Sequence, residues 1–210
     1  MQTIILVLGG IFWILTYIII ISKGFKDKTY GMPMVALAAN ISWEFIFSFV
    51  LSHSAPQRFI NYLWFVLDVV IVIQFLKYSK NEFLNLTSLK LYSIFILMII
   101  TASGIIMFGS IMLGDITGVY SAFGQNLLMS ILFIIMFFKR KNFRGQSFSI
   151  AIFKMLGTGF TSVHFYFYEP VTQTSFVLPF LFASIFFFDL LYSFLIIRKY
   201  RENHISLLKI

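Results

Sequence analysis

Long apolar runs separated by short polar joints dominate the chain. Seven runs are each about 20 residues long, the length that a helix needs to cross the hydrocarbon core of a bilayer. They cover residues 3–22, 34–53, 59–79, 91–113, 120–138, 147–167 and 176–197. The joints carry charged and turn-forming residues and are too short to hold a soluble domain. We therefore predict an all-α membrane protein in which residues 1–210 form one domain of seven transmembrane helices.

Lysine and arginine occur almost entirely in alternate joints. The first, third and fifth joints and the C-terminal tail hold 14 of the 16 basic residues. The other two are Arg58, in the second joint, and Lys154, inside the sixth apolar run, whose long side chain we expect to extend toward the cytoplasmic end. Because basic residues accumulate on the cytoplasmic side of a membrane, the N-terminus is predicted outside and the C-terminus in the cytoplasm.

Composition narrows the class of protein further. Hydrophobic residues make up 60% of the chain, charged residues only 11%, and cysteine is absent. These values exclude a soluble enzyme, a disulfide-stapled secreted domain and a disordered chain. The net charge of +8 is explained by the basic joints, which membrane topology and anionic lipids account for, so we expect no nucleic-acid partner.

Three acidic residues lie near the middle of predicted helices, namely Glu44, Asp68 and Asp189. Ionisable groups at membrane depth are costly and commonly functional. Few cations are available to pair with them, and burial without a cation favours the neutral carboxyl group, so we expect at least one to be protonated at neutral pH. Such a group can act as a general acid or carry a proton. The three could share one cavity if the second, third and seventh helices are neighbours; the alternative is that they only make helix–helix hydrogen bonds.

Polar and aromatic residues accompany these acids. Asn40 lies one turn before Glu44 on the same helix face, so it could hydrogen-bond the Glu44 carboxyl group and orient it. Trp43 and Trp64 lie near mid-membrane beside an acid, where an aromatic ring can stabilise a carbocation. The remaining pocket or supporting residues that we predict are Gln125, Asn126 and Tyr192.

Other chemistries lack a sequence signal. There is no Asp-rich cluster for magnesium and diphosphate, no Gly-rich phosphate loop and no histidine spacing typical of a metal site, so we expect neither a metal nor a cofactor. Asp115 and Glu169 fall in predicted outer joints, where we expect them to be solvated.

The run YGMPMVALAANISWEFIF, residues 30–47, resembles the second-helix motif of the integral membrane terpene cyclases. These are small seven-helix cyclases of meroterpenoid and indole-diterpene pathways. Weaker similarities are the segment from Trp64 to Asp68, the runs GQNLLMS and RGQS, and the seventh-helix acid with Tyr192. The resemblance spans most of the chain. The short joints and Ile/Phe/Lys-rich composition suggest a bacterial member of the inner membrane.

The resemblance implies that Glu44 and Asp189 are catalytic. One of them would protonate an epoxide or terminal alkene of a prenylated, lipid-soluble substrate, and the cation would cyclise without a metal. The other acid, with Asp68, Asn40 and Tyr192, would orient the donor or accept the final proton. The substrate would enter from the lipid phase, with a prenyltransferase and an epoxidase acting upstream.

Two other functions have weaker support in the sequence, although the first of them matches the length and topology. A small seven-helix proton-coupled transporter would also use mid-membrane acids, but helices one to three show no recognisable repeat in helices five to seven. A retinal protein needs a lysine in its last helix, and Lys199 lies beyond the predicted end of that helix.

Overall fold

The computed structural model describes residues 1–51, 53, 55 and 57–204, and within them a long helix occupies each of the seven predicted positions. The helices are α1 Gln2–Lys26, α2 Met34–Phe45, α3 Gln57–Tyr78, α4 Ser88–Met112, α5 Val119–Arg140, α6 Phe148–Tyr168 and α7 Val177–Glu202. Three short helical turns, Ile46–Val50, Ser79–Asn81 and Pro170–Gln173, follow α2, α3 and α6 respectively. The all-helical prediction is confirmed for the described part of the chain.

Five of these helices are long and apolar enough to cross a membrane. They are α1, α3 with the turn that follows it, α4, α5 and α7. A shorter apolar stretch, Met34–Val50, combines α2 with its terminal turn. The 21-residue helix α6 contains Lys154, His164 and several small polar residues, and it is not among the five. Several of the helices are therefore apolar and long enough to span a membrane. The total of seven spans, and the side of the membrane on which each terminus lies, stay predictions.

The second apolar run forms a shorter helix than predicted. α2 passes into a π-helical turn at Ile46–Val50, and the chain leaves the helix at Leu51. His53, the predicted last residue of this helix, instead lies against the joint before α5, with Nε2 3.0 Å from the Thr117 carbonyl oxygen. A π-helical turn inside an α-helix is rare and often occurs beside a functional site.

Six of the long helices form a ring, and the remaining one, α4, lies outside it. Around the ring the order is α1, α3, α2, α5, α7 and α6, with α6 packing back on α1, and α4 packs on the outer side of α2 and α5. Side chains such as Phe75, Phe133 and Ile196 fill the half of the ring that lies nearer the basic joints. The other half is left less filled, and it contains the cavity described below.

The basic joints meet at one end of the bundle. Glu82, which follows α3, accepts hydrogen bonds from Thr29 Oγ1 at 2.7 Å and from Arg140 Nε at 3.1 Å. Arg144, in the joint after α5, donates from Nη2 to the Lys28 carbonyl oxygen at 3.1 Å. Three joints that precede even-numbered helices are therefore linked at the same end. The predicted tail cation Lys209 lies outside the described residues.

Candidate active site

A cavity of about 520 Å³ lies inside the helical ring. Residues of α1, α2, α3, α5 and α6 line it, and its wall extends to Thr117, Gly118 and Glu169. These three residues belong to the joints at the end of the bundle opposite the basic joints. The cavity therefore runs from that end toward the middle of the bundle.

Tryptophan side chains form a large part of the cavity wall. Both predicted residues, Trp43 and Trp64, line the cavity, and Trp13 of α1 joins them. Trp43 is held in place because its Nε1–H donates to the Gly118 carbonyl oxygen at 3.0 Å and to Ser121 Oγ at 3.1 Å. Gly118 has a φ of +65°, a left-handed conformation that strongly favours glycine, so this contact depends on the residue type in the joint.

Glu44 is the predicted acid that the structure places at the cavity. It is buried near the end of α2 and its side chain contributes to the wall. Its Oε2 atom is enclosed and has no hydrogen-bond partner in the described part of the chain. The hydrogen bond that Asn40 could have made to this carboxyl group is not formed, because Asn40 donates to Tyr17 and Asp68 instead. Glu44 is thus a buried carboxyl group facing a cavity and without a fixed partner among the described residues.

Asn40 instead joins three helices. Its Nδ2 donates to Tyr17 Oη at 2.5 Å and to Asp68 Oδ2 at 2.6 Å. Tyr17 comes from α1, Asn40 from α2 and Asp68 from α3, and all three are buried. Tyr17 and Asn40 line the cavity, whereas Asp68 lies behind them and is not part of the wall. Asp68 is therefore linked through Asn40 to the helix that carries Glu44, and its supporting role stays a prediction.

Asp189 lies on the other side of the bundle in an ion pair. The Lys154 ammonium group is 2.7 Å from Asp189 Oδ1 and also donates to Ser130 Oγ at 2.7 Å. Lys154 is fully buried, so the prediction that its side chain extends toward the end of the helix is wrong. The ion pair is possible because α6 packs on α7, whereas α7 packs mainly on α5 and α6 and away from α2 and α3. Neither member of the pair lines the cavity, so the three acids do not share one cavity wall.

Two polar residues of α5 that the sequence analysis singled out line the cavity. Gln125 and Asn126 both contribute to the wall. Asn126 Nδ2 donates to Thr158 Oγ1 at 2.8 Å, which leaves its Oδ1 atom without a partner among the described residues. Gln125 Oε1 is also enclosed and unpaired there. Two residues of the wall therefore carry a buried amide oxygen without a partner in the described part of the chain.

Tyr192 is close to the ion pair but away from the cavity. Its hydroxyl group donates to Gln146 Oε1 at 3.2 Å, and its ring packs against Phe133 with the centroids 5.5 Å apart. It is buried and does not line the cavity. The structure therefore gives Tyr192 a supporting position beside α5.

Several residues that line the cavity were not predicted from the sequence to belong to the site. Tyr17, Trp13 and the pair of His164 and Glu169 all line the cavity. His164 Nε2 is 3.2 Å from Glu169 Oε1. Glu169 was predicted to be solvated, and its side chain is 37% exposed, so it lies between the cavity and its open end. The sequence signal for this pair was that a histidine in the last turns of α6 and an acidic residue just after the helix are only five positions apart.

Asp115 was also predicted to be solvated, and this is wrong. It is buried, and its carboxylate accepts from the backbone N–H groups of Val119 at 2.7 Å and Tyr120 at 3.0 Å. The first N–H groups of a helix lack intrahelical partners, so Asp115 stabilises the start of α5. This contact holds the joint that also positions Trp43.

The whole length of the described helical domain matches a known family. The model of the Pyr4-like transmembrane terpene cyclases matches residues 1–202. The chain belongs to this family. Membership confirms the resemblance seen in residues 30–47, which include Asn40, Trp43 and Glu44. It also agrees with the apolar helices in identifying a multi-pass integral membrane protein.

Individual Pyr4-like relatives are about 30% identical to the chain over the residues that align. The Pyr4-family terpene cyclase mfmH of Annulohypoxylon moriforme is 29% identical over 164 residues, which are 76% of this chain and 68% of the relative. The asnovolin H synthase nvfL of Aspergillus novofumigatus is 31% identical over 163 residues, 75% of this chain and 66% of the relative. The terpene cyclase pyr4 of Aspergillus fumigatus is 32% identical over 74 residues, 35% of this chain and 31% of the relative.

The chain spans about two thirds of the length of the first two Pyr4-like relatives and about a third of the last. All three relatives are fungal, so they give no support to the prediction of a bacterial inner membrane. No solved structure matches the chain. The names of the relatives support a membrane terpene cyclase, and the cavity gives such an enzyme a place for its substrate.

Proposed function

We propose that the protein is a terpene cyclase in which Glu44 protonates an epoxide or alkene of a prenylated, lipid-soluble substrate. The observation that carries this proposal is the position of Glu44 in the wall of the tryptophan-lined cavity. Of the three predicted acids, Asp68 is bonded to Asn40 and Asp189 is paired with Lys154, and neither reaches the wall. Glu44 is therefore the acid that a molecule in the cavity would meet.

The surroundings of Glu44 favour the neutral carboxyl group that a proton donor needs. The side chain is 4% exposed, and no cation pairs with it in the described part of the chain. Burial of an unpaired carboxylate is costly, whereas a neutral carboxyl group is tolerated in such a place. A buried acid held in the neutral form is the state from which general acid catalysis begins.

Protonation would start a sequence of carbon–carbon bond formations. The proton passes from Glu44 to the epoxide oxygen, whose C–O bond breaks and leaves a hydroxyl group, or to an alkene carbon. The electron pair of the next double bond then attacks the carbon that has become cationic. The indole rings of Trp13, Trp43 and Trp64, which line the cavity, would stabilise the moving positive charge. The cation finally loses a proton to a base in the wall, for which the His164 and Glu169 pair offers a nitrogen and a carboxylate. The reaction is an isomerisation, because one proton is added and one is removed.

Asp189 and Asp68 take supporting roles in this proposal. Asp189 neutralises Lys154, which lies 5.9 Å from the centroid of the Trp13 ring and would otherwise place an unpaired positive charge behind a wall that stabilises cations. Asp68 fixes Asn40 one turn from Glu44 and so fixes the face of α2 that meets the cavity. Tyr192 packs α7 against α5 near the ion pair.

The polar part of the wall would receive the non-terpenoid part of the substrate. Gln125 Oε1 and Asn126 Oδ1 are unpaired among the described residues, and they lie on α5, across the ring from α1. A phenol, quinol or indole carries an O–H or N–H group that these atoms could accept. The prenyl chain would then extend along the tryptophan side chains toward Glu44. A substrate of this kind would enter from lipid and would come from a prenyltransferase, followed by an epoxidase if it is epoxidised.

The test uses purified protein in lipid nanodiscs and a polyprenylated quinol with and without a terminal epoxide. Wild-type protein is expected to form cyclic isomers of at least one of the two. Glu44→Gln should lower this activity by about 10²–10⁴-fold, the usual contribution of a general acid. Glu202→Gln, at an exposed position on the last turn of α7, is the control.

Cyclisation by Glu44→Gln at the wild-type rate would refute the assignment of the acid. Absence of any cyclic product from the wild type, together with solute-dependent proton uptake into vesicles, would instead support a proton-coupled transporter.

A further inference from the structure

The helices α1 and α3 pack closely at the basic end of the bundle. Tyr17 Oη of α1 and Asp68 Oδ2 of α3 accept from the same side-chain amide of α2, so they lie at one level. Further along both helices, Gln74 Nε2 donates to the Ile21 carbonyl oxygen at 2.6 Å. A Cβ atom built on Gly24 would lie 2.5 Å from Gln74 Oε1. The two helices therefore run in the same direction, and their interface is closed over this half.

The same face of α1 becomes open toward the other end of the bundle. Residues seven positions apart lie on nearly one face of a helix, so Gly10 continues the face that carries Tyr17 and Gly24. A Cβ atom built on Gly10 meets nothing within 4 Å in the described part of the chain, and Gly10 lines the cavity. The adjacent Gly9 is packed tightly, since a Cβ atom built on it would lie 2.6 Å from Thr161 Oγ1 of α6. At this level α1 is held against α6, whereas its face toward α3 borders open space.

The facing side of α3 shows the same change. Leu67 and Ile60 precede Gln74 by seven and fourteen residues, so they continue the face that contacts α1. Gln74 is fully buried, whereas Leu67 and Ile60 are only half-buried. Ile60 also lines the cavity. The α1–α3 interface therefore loosens on both helices toward the end opposite the basic joints.

We call this opening the α1–α3 seam. It is bordered by Leu6 and Gly10 of α1 and by Gln57 and Ile60 of α3, and all four residues line the cavity. Leu6 and Gln57 are level with each other, because each lies 11 residues before the paired level of its helix, about 16 Å along the axis. The seam is thus a side of the cavity and not a separate groove.

Apolar side chains flank the seam on the outer surface of the ring. Val7 and Ile11 of α1 and Leu63 of α3 are exposed. Both helices are among those long and apolar enough to span a membrane, so these side chains would contact hydrocarbon. The seam therefore lies between the cavity and the surface that faces lipid.

The other opening of the cavity is less suited to an apolar chain. It lies among the joints at the end of the bundle, and its wall there includes the polar residues His53, Thr117 and Glu169. A prenyl chain that entered at this end would first have to leave the hydrocarbon core, which the hydrophobic effect opposes. Through the seam, the same chain would stay in apolar surroundings.

We propose that the α1–α3 seam is the lateral portal of the cavity, through which the prenyl chain of a lipid-soluble substrate passes from the bilayer. Leu6 and Ile60 would contact the chain, and the missing side chain of Gly10 would keep the passage wide. This inference rests on the proposed function, because it takes a prenylated molecule as the occupant, and it adds the route by which that molecule enters.

The absence of cysteine allows the seam to be closed by a specific cross-link. Leu6→Cys/Gln57→Cys is placed in lipid nanodiscs and joined by a reducible bis-methanethiosulfonate reagent. The probe is a polyprenylated quinol with bromine added across its terminal double bond. All three tryptophans line the cavity, so quenching of their fluorescence by bromine reports entry without turnover.

The cross-link is expected to slow quenching by about tenfold or more relative to the same variant before the link is made, because the portal can no longer open. Reduction of the link should restore the original rate, which also shows that the protein stayed folded. Unchanged quenching with the seam closed would overturn the proposal and place entry at the polar end.

The matched control joins α1 to α6 instead. Phe12 and Phe160 stack with their ring centroids 5.7 Å apart, and neither lines the cavity. The same link in Phe12→Cys/Phe160→Cys should therefore leave the rate of quenching unchanged. Equal slowing by both links would overturn the proposal, because it would show a general stiffening of α1.

Quenching and cyclisation together separate this inference from the proposed function. Protein in which quenching depends on an open seam, but which forms no cyclic product, would refute the proposed function and leave the portal established. Wild-type protein that cyclises its substrate, with quenching that ignores the cross-link, would refute the portal alone.

Discussion

The Lys154 ammonium group lies 2.7 Å from Asp189 Oδ1 inside the helical ring, and both side chains are almost completely buried. Ser130 Oγ accepts a further hydrogen bond from the same ammonium group. The contact joins α5, α6 and α7 and lies behind Trp13. Asp189 therefore has a structural partner that explains its presence at membrane depth without a proton transfer to the substrate.

Breaking this ion pair from one side should be strongly destabilising. Lys154→Met leaves a buried carboxylate without its cation, and Asp189→Leu leaves a buried ammonium group, so each single variant should lose about 3–5 kcal/mol of unfolding free energy. The double variant Lys154→Met/Asp189→Leu contains neither charge and should recover most of that loss. Unfolding in mixed detergent, followed by tryptophan fluorescence, measures the three values.

Activity of the double variant separates the two roles of Asp189. If Asp189 acts only as the counter-ion of Lys154, the double variant should regain the cyclisation that the single variants lose. A stable but inactive double variant would show instead that Asp189 takes part in the chemistry.

The cluster of Tyr17, Asn40 and Asp68 should likewise stabilise the contact of α1, α2 and α3. Asn40→Ala removes two short hydrogen bonds to the buried Tyr17 and Asp68 oxygen atoms, which should cost about 1–3 kcal/mol. Ser48→Ala is the matched control on the same helical segment, because the buried Ser48 hydroxyl has no partner among the described residues. Its stability should be unchanged or slightly higher when measured in the same unfolding experiment.

An exchange variant tests the geometry of that cluster. Asn40→Asp/Asp68→Asn keeps one amide and one carboxyl group in contact and should recover stability relative to Asn40→Ala. If the exchange variant were as unstable as Asn40→Ala, an amide and a carboxyl group in contact would not be sufficient to hold the three helices together.

The sequence was sufficient to locate the helices because membrane thickness imposes a length on each apolar run. The same reasoning found Glu44, Trp43, Trp64, Gln125 and Asn126, all of which line the cavity. Each is polar or aromatic at a depth where lipid would favour an aliphatic side chain, and that signal does not depend on which helices are neighbours.

The side-chain contacts of these residues could not be predicted in the same way, because they depend on the order of the helices around the ring. Lys154 and Asp189 are 35 residues apart, and only the packing of α6 on α7 brings them together. Helix periodicity correctly placed Asn40 and Glu44 on one face, but it could not show that α1 and α3 would offer Tyr17 and Asp68 to the Asn40 amide.

Glu82 should be the most important acidic residue at the basic end of the bundle. It accepts from Thr29 Oγ1, Tyr30 Oη and Arg140 Nε, and its side chain is 14% exposed. Burial and the neighbouring Glu82 carboxylate raise the pKa of Tyr30 above its ordinary value, so its hydroxyl group stays a donor at neutral pH. Glu82→Gln weakens three charge-assisted contacts and should cost about 2 kcal/mol or more in unfolding free energy.

The exposed ion pair of Glu202 with Arg198 provides the comparison for Glu82. Its two atoms are 2.7 Å apart, but the side chains are 56% and 67% exposed. Glu202→Gln should therefore change stability by less than about 1 kcal/mol. If Glu82→Gln and Glu202→Gln were equally stable, the contacts of Glu82 would not contribute to holding the three basic joints together.

Filling the cavity from α1 should block the substrate without unfolding the protein. Gly10 lines the cavity, and a Cβ atom built on it meets no other atom within 4 Å. Gly10→Leu would place an apolar side chain in the space proposed for the prenyl chain, so kcat/KM should fall about tenfold or more, with the greatest loss for the longest chain. The measurement is cyclisation of quinols with prenyl chains of increasing length.

Gly124→Leu is the control for this effect. Gly124 also has open space at its Cβ position, but it does not line the cavity, so its replacement should leave cyclisation unchanged. Both leucine variants add a good helix former in place of glycine, so neither should unfold at a lower temperature than the wild type. An equal loss of activity in both would point to a general effect on the helices, and full activity of Gly10→Leu with the longest chain would mean that the substrate lies elsewhere.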